Sequence, residues 1–166
     1  MLKRPKYLIS LATKYDIDHI YDLCHTRVKW FRENNIDQWH VLEKSDLKKI
    51  LAEELNRKDL YKITCNKKIV GSFVLSPTDS KRWEFSDDTY YLWRLVTDPK
   101  VKGLGKRIIR FCCKKCKDNH KKFLRGYYVA SNEKLKQIYS KYGFTVVSTY
   151  ETKTGKLLDM IEIKIK

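Results

Sequence analysis

The sequence predicts an α+β fold, a mixed and mostly antiparallel central sheet flanked by helices. Three observations predict it. Segments alternating with a period of two and segments with helical spacing follow one another as strand, two helices, two or three strands, helix, strand, helix and a closing hairpin. An apolar run over 91–96 passes through a glycine-containing turn directly into a helical segment. The 166 residues, 42% hydrophobic and 13% aromatic, are enough for a real core, so a single domain over 1–166 is expected.

Each element has its own signal. Residues 7–11 read as a first strand, and Ile17, Ile20, Tyr21, Leu23, Cys24, Val28 and Phe31 keep helical spacing up to Asn34 and Asn35. Ser45 is placed to cap a second helix carrying Leu47, Ile50, Leu51 and Leu55. Residues 61–65 and 69–75 form a hairpin around Asn66-Lys67-Lys68, and 77–87 is a loop before the central strand. Tyr127 to Ser131 reads as a strand leading to Asn132, the cap of a short helix closed by Gly143. Residues 145–150 and 157–165 alternate around Thr154-Gly155 as a final hairpin. The chain shows no repeat, low-complexity tract or linker.

The central strand, Tyr91-Leu92-Trp93-Arg94-Leu95-Val96, leads through Thr97-Asp98-Pro99 into Lys100-Val101-Lys102-Gly103-Leu104-Gly105-Lys106-Arg107 and a helix. That arrangement suits an anion. Glycines let the backbone approach closely, first-turn N–H groups lack intrahelical partners, and the helix dipole favours negative charge there. Lys100, Lys102, Lys106 and Arg107 add positive charge. A dinucleotide fingerprint would need a third glycine where Ile108 stands, and a P-loop would need Ser or Thr where Arg107 follows Lys106.

Taken with the helix from Asn132, this turn resembles the GNAT superfamily of acyl-CoA N-acyltransferases. The family pattern pairs a basic Arg/Gln-x-x-Gly-x-Gly/Ala turn with a later Asn followed by Leu, Tyr and Gly-Phe. The matching residues are Lys100, Gly103 and Gly105 in the turn, then Asn132, Leu135, Tyr139, Gly143 and Phe144, so the resemblance spans roughly the C-terminal half. It implies acetyl-CoA as acyl donor, with the pyrophosphate on Lys100, Val101, Lys102, Gly103, Leu104, Gly105, Lys106 and Arg107, and Asn132 beside the cofactor. It also implies that the strands ending near Val96 and Ser131 run parallel and splay, admitting the pantetheine arm. Lys100 departs from the usual Arg or Gln, which leaves 102–107 as an alternative register. Gly126-Tyr127-Tyr128 stands where members often carry an acid.

Composition restricts the other classes. The net charge of +16 raises nucleic acid, anionic membrane or acidic substrates as partners, but the lysines are spread over several elements, so nucleic-acid binding is not the leading reading. No apolar run is long enough for a bilayer, and Met1 to Lys6 precedes no signal-peptide core, so a soluble cytoplasmic protein with no membrane partner is expected. Five cysteines without regular spacing fit reduced thiols. Cys112, Cys116 and His120 share a predicted helical face, but a metal would need a fourth ligand and closer convergence, and none is expected.

Acyl transfer from a thioester to an amine needs a neutral nucleophile, a donor to the developing oxyanion and a way to stabilise the leaving thiolate. A free backbone N–H around Leu95, Val96 and Thr97 is assigned to the oxyanion, and the resemblance points to Tyr139 as proton donor to the thiolate. No base is assigned; Glu84, Asp87, Asp88, His25 and His40 read as surface or capping residues. Trp30, Phe31, Gln38, Trp39, His40 and Trp83 are candidates to line the acceptor site. The leading function is N-acetyl transfer to a small-molecule or protein amine. A CoA-binding domain without turnover and a basic nucleic-acid-associated protein stay open, as does self-association into a homodimer.

Overall fold

The computed structural model describes residues 5–39, 46–79 and 81–166. Its strands are β1 (Tyr7–Leu11), β2 (Leu60–Cys65), β3 (Lys68–Ser76), β4 (Thr89–Thr97), β5 (Phe123–Val129), β6 (Thr145–Glu151) and β7 (Leu157–Lys164). Its helices are α1 (Ile17–Glu33), α2 (Leu47–Asn56), α3 (Leu104–Asp118) and α4 (Glu133–Lys141). The strands form one seven-stranded sheet in the order β1-β2-β3-β4-β5-β7-β6, antiparallel throughout except for the central β4-β5 pair.

Alternation along β3 divides the core between the two faces of the sheet. Phe73 and Leu75 meet Ile108, Ile109 and Cys112 of α3, while Val74 meets Ile20 and Cys24 of α1 and Leu51 of α2. Burying an isoleucine such as Ile108, fully enclosed, contributes roughly 1.5–3 kcal/mol, so the apolar stripe of α3 is what seats that helix and its N-terminus against the sheet.

Several local expectations are revised. Ser45, and with it any capping role, lies outside the described residues; Asp46 is the cap of α2, its carboxylate accepting from the Lys49 amide at 3.1 Å. Strand β5 starts at Phe123, because Phe123 to Tyr127 pair along β7 as fully as the later residues do. His120 is not on the helical face with Cys112 and Cys116: α3 ends at Asp118 and His120 turns away with φ 55°. Among the described residues no three His, Cys, Asp or Glu side chains gather as a metal site requires, and no helix is long and apolar enough to cross a membrane.

Candidate active site

The central parallel pair opens like a wedge. β4 and β5 are paired only from Thr89 with Phe123 to Tyr91 with Arg125, although β4 continues to Thr97 and β5 to Val129. Gly126 lies where the opening begins: a Cβ there would stand 3.0 Å from the Leu92 carbonyl oxygen, so any other residue would push the strands slightly apart. Beyond it the Val129 amide finds no strand on that side and donates to Gln38 Oε1 at 3.3 Å. The gap leads into a cavity of about 280 Å³ lined from both faces of the sheet, by Arg27, Trp30, Phe31 and Gln38 on one side and by Leu135, Ile138, Tyr139 and Tyr142 on the other.

β4 carries a bulge inside this gap. Ser72 pairs with Val96 and Val74 with Trp93, so Arg94 and Leu95 together face Phe73. The side-chain alternation breaks at the same place. Trp93 and Arg94, although adjacent, both reach Glu54 of α2, after which Leu95 turns to the α3 core and Val96 to the α1–α2 core. Arg94 has φ 46°, a conformation that costs a non-glycine residue roughly 1–3 kcal/mol and persists only when the surroundings impose it. A bulge leaves its extra residue without a ladder partner, and Trp93, Arg94 and Leu95 all border the cavity.

The turn after β4 is tied down at its start and open at its end. Asp98 accepts the Lys100 amide on its carboxylate at 2.9 Å and the Val101 amide on its carbonyl at 3.0 Å. Gly103 then caps α3 with φ 78°, which a residue with a Cβ adopts only under strain, and Arg107 is the first to donate back, to the Gly103 carbonyl. The amides without an intrahelical partner therefore belong to the segment from Lys102 to Lys106 at the helix N-terminus, where Gly103, Leu104 and Gly105 border the cavity.

Tyr139 projects from α4 into an aromatic nest. Its ring stacks on Tyr128 at 5.8 Å and meets Tyr142 and Phe144 edge-on at 6.5 and 5.4 Å. Among the described residues its hydroxyl has no hydrogen-bond partner, and it borders the cavity. Burial, followed by the neighbouring Tyr142, Cys112 and Tyr128, pushes its pKa well above the ordinary phenol value. The hydroxyl is thus protonated at neutral pH. Asn132 caps α4 by accepting the Leu135 amide at 3.1 Å and also borders the cavity.

A model of the acetyltransferase (GNAT) domain matches residues 29–162. The chain belongs to the GNAT acetyltransferases. Among solved structures it is similar to a GNAT-family acetyltransferase from Listeria monocytogenes, with 26% identity, 95% of each chain covered and a TM-score of 0.75. It shares its fold with yncA from Salmonella typhimurium, solved with its cofactor acetyl-CoA, at 16% identity, TM-score 0.69 and coverage of 96% and 94%. The PaiA N-acetyltransferase of Thermoplasma acidophilum, solved in complex with coenzyme A, has 17% identity, TM-score 0.73 and coverage of 96% and 99%. Among curated proteins none matches the sequence.

In this GNAT chain Leu95, Thr97, Val101, Gly103, Leu104, Gly105, Asn132 and Tyr139 converge on the cavity. Val96 buries its side chain in the α1–α2 core, and Lys100, Lys102, Lys106 and Arg107 are exposed around the turn; Arg107 lies 4.5 Å over the Tyr7 ring. Of the residues expected to line an acceptor site, Trp30, Phe31, Gln38 and Trp39 border the cavity, whereas Trp83 packs with Val129, Leu158 and Met160, and His40 lies outside the described residues. Asp88 pairs with Lys122 and Ser86, and His25 stacks on Tyr21, away from the cavity.

Two site residues have no motif in the sequence. Arg27 reaches from α1 to donate to the Thr97 carbonyl at 2.9 Å, between Trp30 and Phe31, its pKa lowered by burial against a smaller opposing effect of Asp98. Lys134 stands 5.5 Å from the Trp30 ring, so the first turn of α4 faces α1 across the cavity mouth. The only advance signal for Arg27 was a cation on the helical stripe otherwise occupied by Cys24, Val28 and Phe31.

Proposed function

We propose that this GNAT protein transfers the acetyl group of acetyl-CoA to a primary amine of a small molecule or protein, by direct attack within a ternary complex. The observation that carries the reading is the wedge between β4 and β5, which begins at Tyr91 and Arg125 and ends beside the open N-terminus of α3. The neighbours solved with acetyl-CoA and with coenzyme A support the same donor.

In this reading the amides from Lys102 to Lys106 hold the pyrophosphate, with Lys100, Lys102, Lys106 and Arg107 supplying screened attraction and Arg27 a cation from the opposite wall. The pantetheine arm replaces the missing strand along Leu95, Val96 and Thr97, and Asn132 borders it. The bulge amide donates to the thioester oxygen as charge develops there. Tyr139 gives a proton to the departing sulfur, its raised pKa keeping the hydroxyl in the donor form. Water takes the proton from the amine.

A CoA-binding domain without turnover keeps one observation on its side: among the described residues no carboxylate borders the cavity. The two readings divide cleanly on a panel of amines and N-terminal peptides assayed for thiol release from acetyl-CoA, beside calorimetric titration of acetyl-CoA. Binding with release supports transfer. Binding without release from any acceptor supports the silent domain, and no binding removes both. The five free cysteines suit a reducing cytoplasm.

A further inference from the structure

The buried carboxylate of Glu54 has no evident task in folding. It is 2% exposed, in the last turns of α2, and both its oxygens take the Arg94 guanidinium while one also accepts the Trp93 indole at 3.3 Å. A buried pair of this kind is commonly no more stabilising than apolar residues of the same size. Its partner, however, is the residue at φ 46° in the β4 bulge, and adjacent Trp93 and Arg94 both reach Glu54 there. Left to its own preference, a non-glycine residue at position 94 would return to extended backbone and restore regular pairing with β3.

We infer that the Glu54–Arg94 pair is a clamp that fixes the bulge and so aims a β4 amide there at the thioester carbonyl. The inference rests on the donor site proposed above. Glu54 and Arg94 touch neither donor nor acceptor in this role; they are positioning residues acting through the backbone of Arg94 and Leu95. A clamp from α2 also couples the acceptor-side helices to the oxyanion donor, because α2 packs against α1 and against the face of the sheet that Trp93 and Val96 occupy.

The test uses acetyl-CoA labelled with ¹³C at the carbonyl, together with calorimetric affinities for acetyl-CoA and CoA. In the parent the bound carbonyl resonance lies downfield of free acetyl-CoA, the mark of a hydrogen bond to the oxygen. Glu54→Met with Arg94→Met removes both charges together and leaves no buried ion alone. The resonance then returns toward the free position, and the preference for acetyl-CoA over CoA falls about fivefold, the worth of one hydrogen bond, with CoA affinity kept. Glu54→Met with Arg94→Gly also lacks the clamp but tolerates positive φ, and it recovers the downfield resonance. A folded Met–Met protein with the parental resonance and preference overturns the clamp.

If the Met–Met protein does not fold, Glu54→Gln keeps the shape of the side chain and removes the charge that holds Arg94 Nη1. A partial upfield return then supports the clamp and a parental resonance overturns it. A parent that binds acetyl-CoA without a downfield carbonyl refutes the clamp alone, whereas a parent that binds neither acetyl-CoA nor CoA refutes the donor site as well.

Discussion

Replacing Tyr139 with phenylalanine separates a chemical role from a packing role more sharply than any other change in this cavity. The ring contacts with Tyr128, Tyr142 and Phe144 are retained, since phenylalanine keeps the six-membered ring. The hydroxyl donates to nothing among the described residues, so the usual loss of about 1 kcal/mol per hydrogen bond does not apply. The thermal midpoint should therefore stay at the parental value. Catalysis should not: a positioned general acid is worth ~10²- to 10⁴-fold in rate. The assay is steady-state thiol release at saturating acetyl-CoA with a working amine, beside calorimetry for acetyl-CoA, whose affinity should be unchanged. A variant within about threefold of the parent, far inside that range, would show that Tyr139 only fills space and that water protonates the thiolate.

Other perturbations probe separate parts of the site. A Cβ at Gly105 would stand 2.8 Å from the Tyr142 hydroxyl, so Gly105→Val should displace that ring and weaken acetyl-CoA binding severely; unchanged affinity in calorimetry would reject the turn as the phosphate site. Arg27→Met should raise the Kd of CoA about tenfold, the scale of a hydrogen bond to a charged group, and leave pantetheine affinity unchanged; equal losses for both ligands would remove Arg27 from the phosphates. Burial holds the thiols of Cys24 and Cys116 at about 12, against an ordinary value of 9.0, and Cys112 also well above it. Their raised folded-state pKa values contribute stability that is complete below pH 9.0 and lost as pH rises toward 12. The melting midpoint should fall across that interval, and a flat profile would contradict the thiols' burial. With no enzyme carboxylate at the cavity among the described residues, the limb of kcat/KM that rises with pH should follow the amine pKa of whichever acceptor is used. A limb that stays fixed between two acceptors would reveal an enzyme base.

The order of strands and helices was legible because each is a local pattern: alternation along β3, helical spacing in α1 and α3, and caps and glycines at Asn132, Gly103 and Gly143. The glycine turn before α3 was legible for the same reason, whereas the hold of Asp98 on the Lys100 and Val101 amides, through its carboxylate and carbonyl, was not. The bulge was not legible. Nothing in Trp93-Arg94-Leu95 marks a left-handed residue, and the contacts made there, with β3 and with a carboxylate 40 positions earlier in the chain, are remote in sequence. Arg27 and Gln38 were equally silent as partners, their contacts lying 70 and 91 positions away. Long-range pairing, unlike periodicity, leaves no spacing to read.

The wedge explains why donor and acceptor can meet without a mobile domain. A regular parallel pair would seal the sheet, and the α1–α2 face would never communicate with the N-terminus of α3. Because pairing stops at Tyr91 and Arg125, residues from both faces border one space. In the reaction proposed above, a cofactor anchored at the α3 N-terminus and running along β4 would bring its thioester to the bulge, and an amine entering past Trp30 and Gln38 would arrive from the α1 side. Among the described residues the charged side chains lining that space are Arg27, Arg94 and Lys134, with Arg94 neutralised by Glu54 and Arg27 assigned above to the phosphates, so that Lys134 keeps an unshared positive charge. Nearby cations disfavour an ammonium ion in a confined space, so an acceptor reaches the thioester more readily as the neutral amine. On the proposed reading the cavity would thereby favour the nucleophilic form of an amine by electrostatics, and a proton-accepting side chain beside the thioester would not be required.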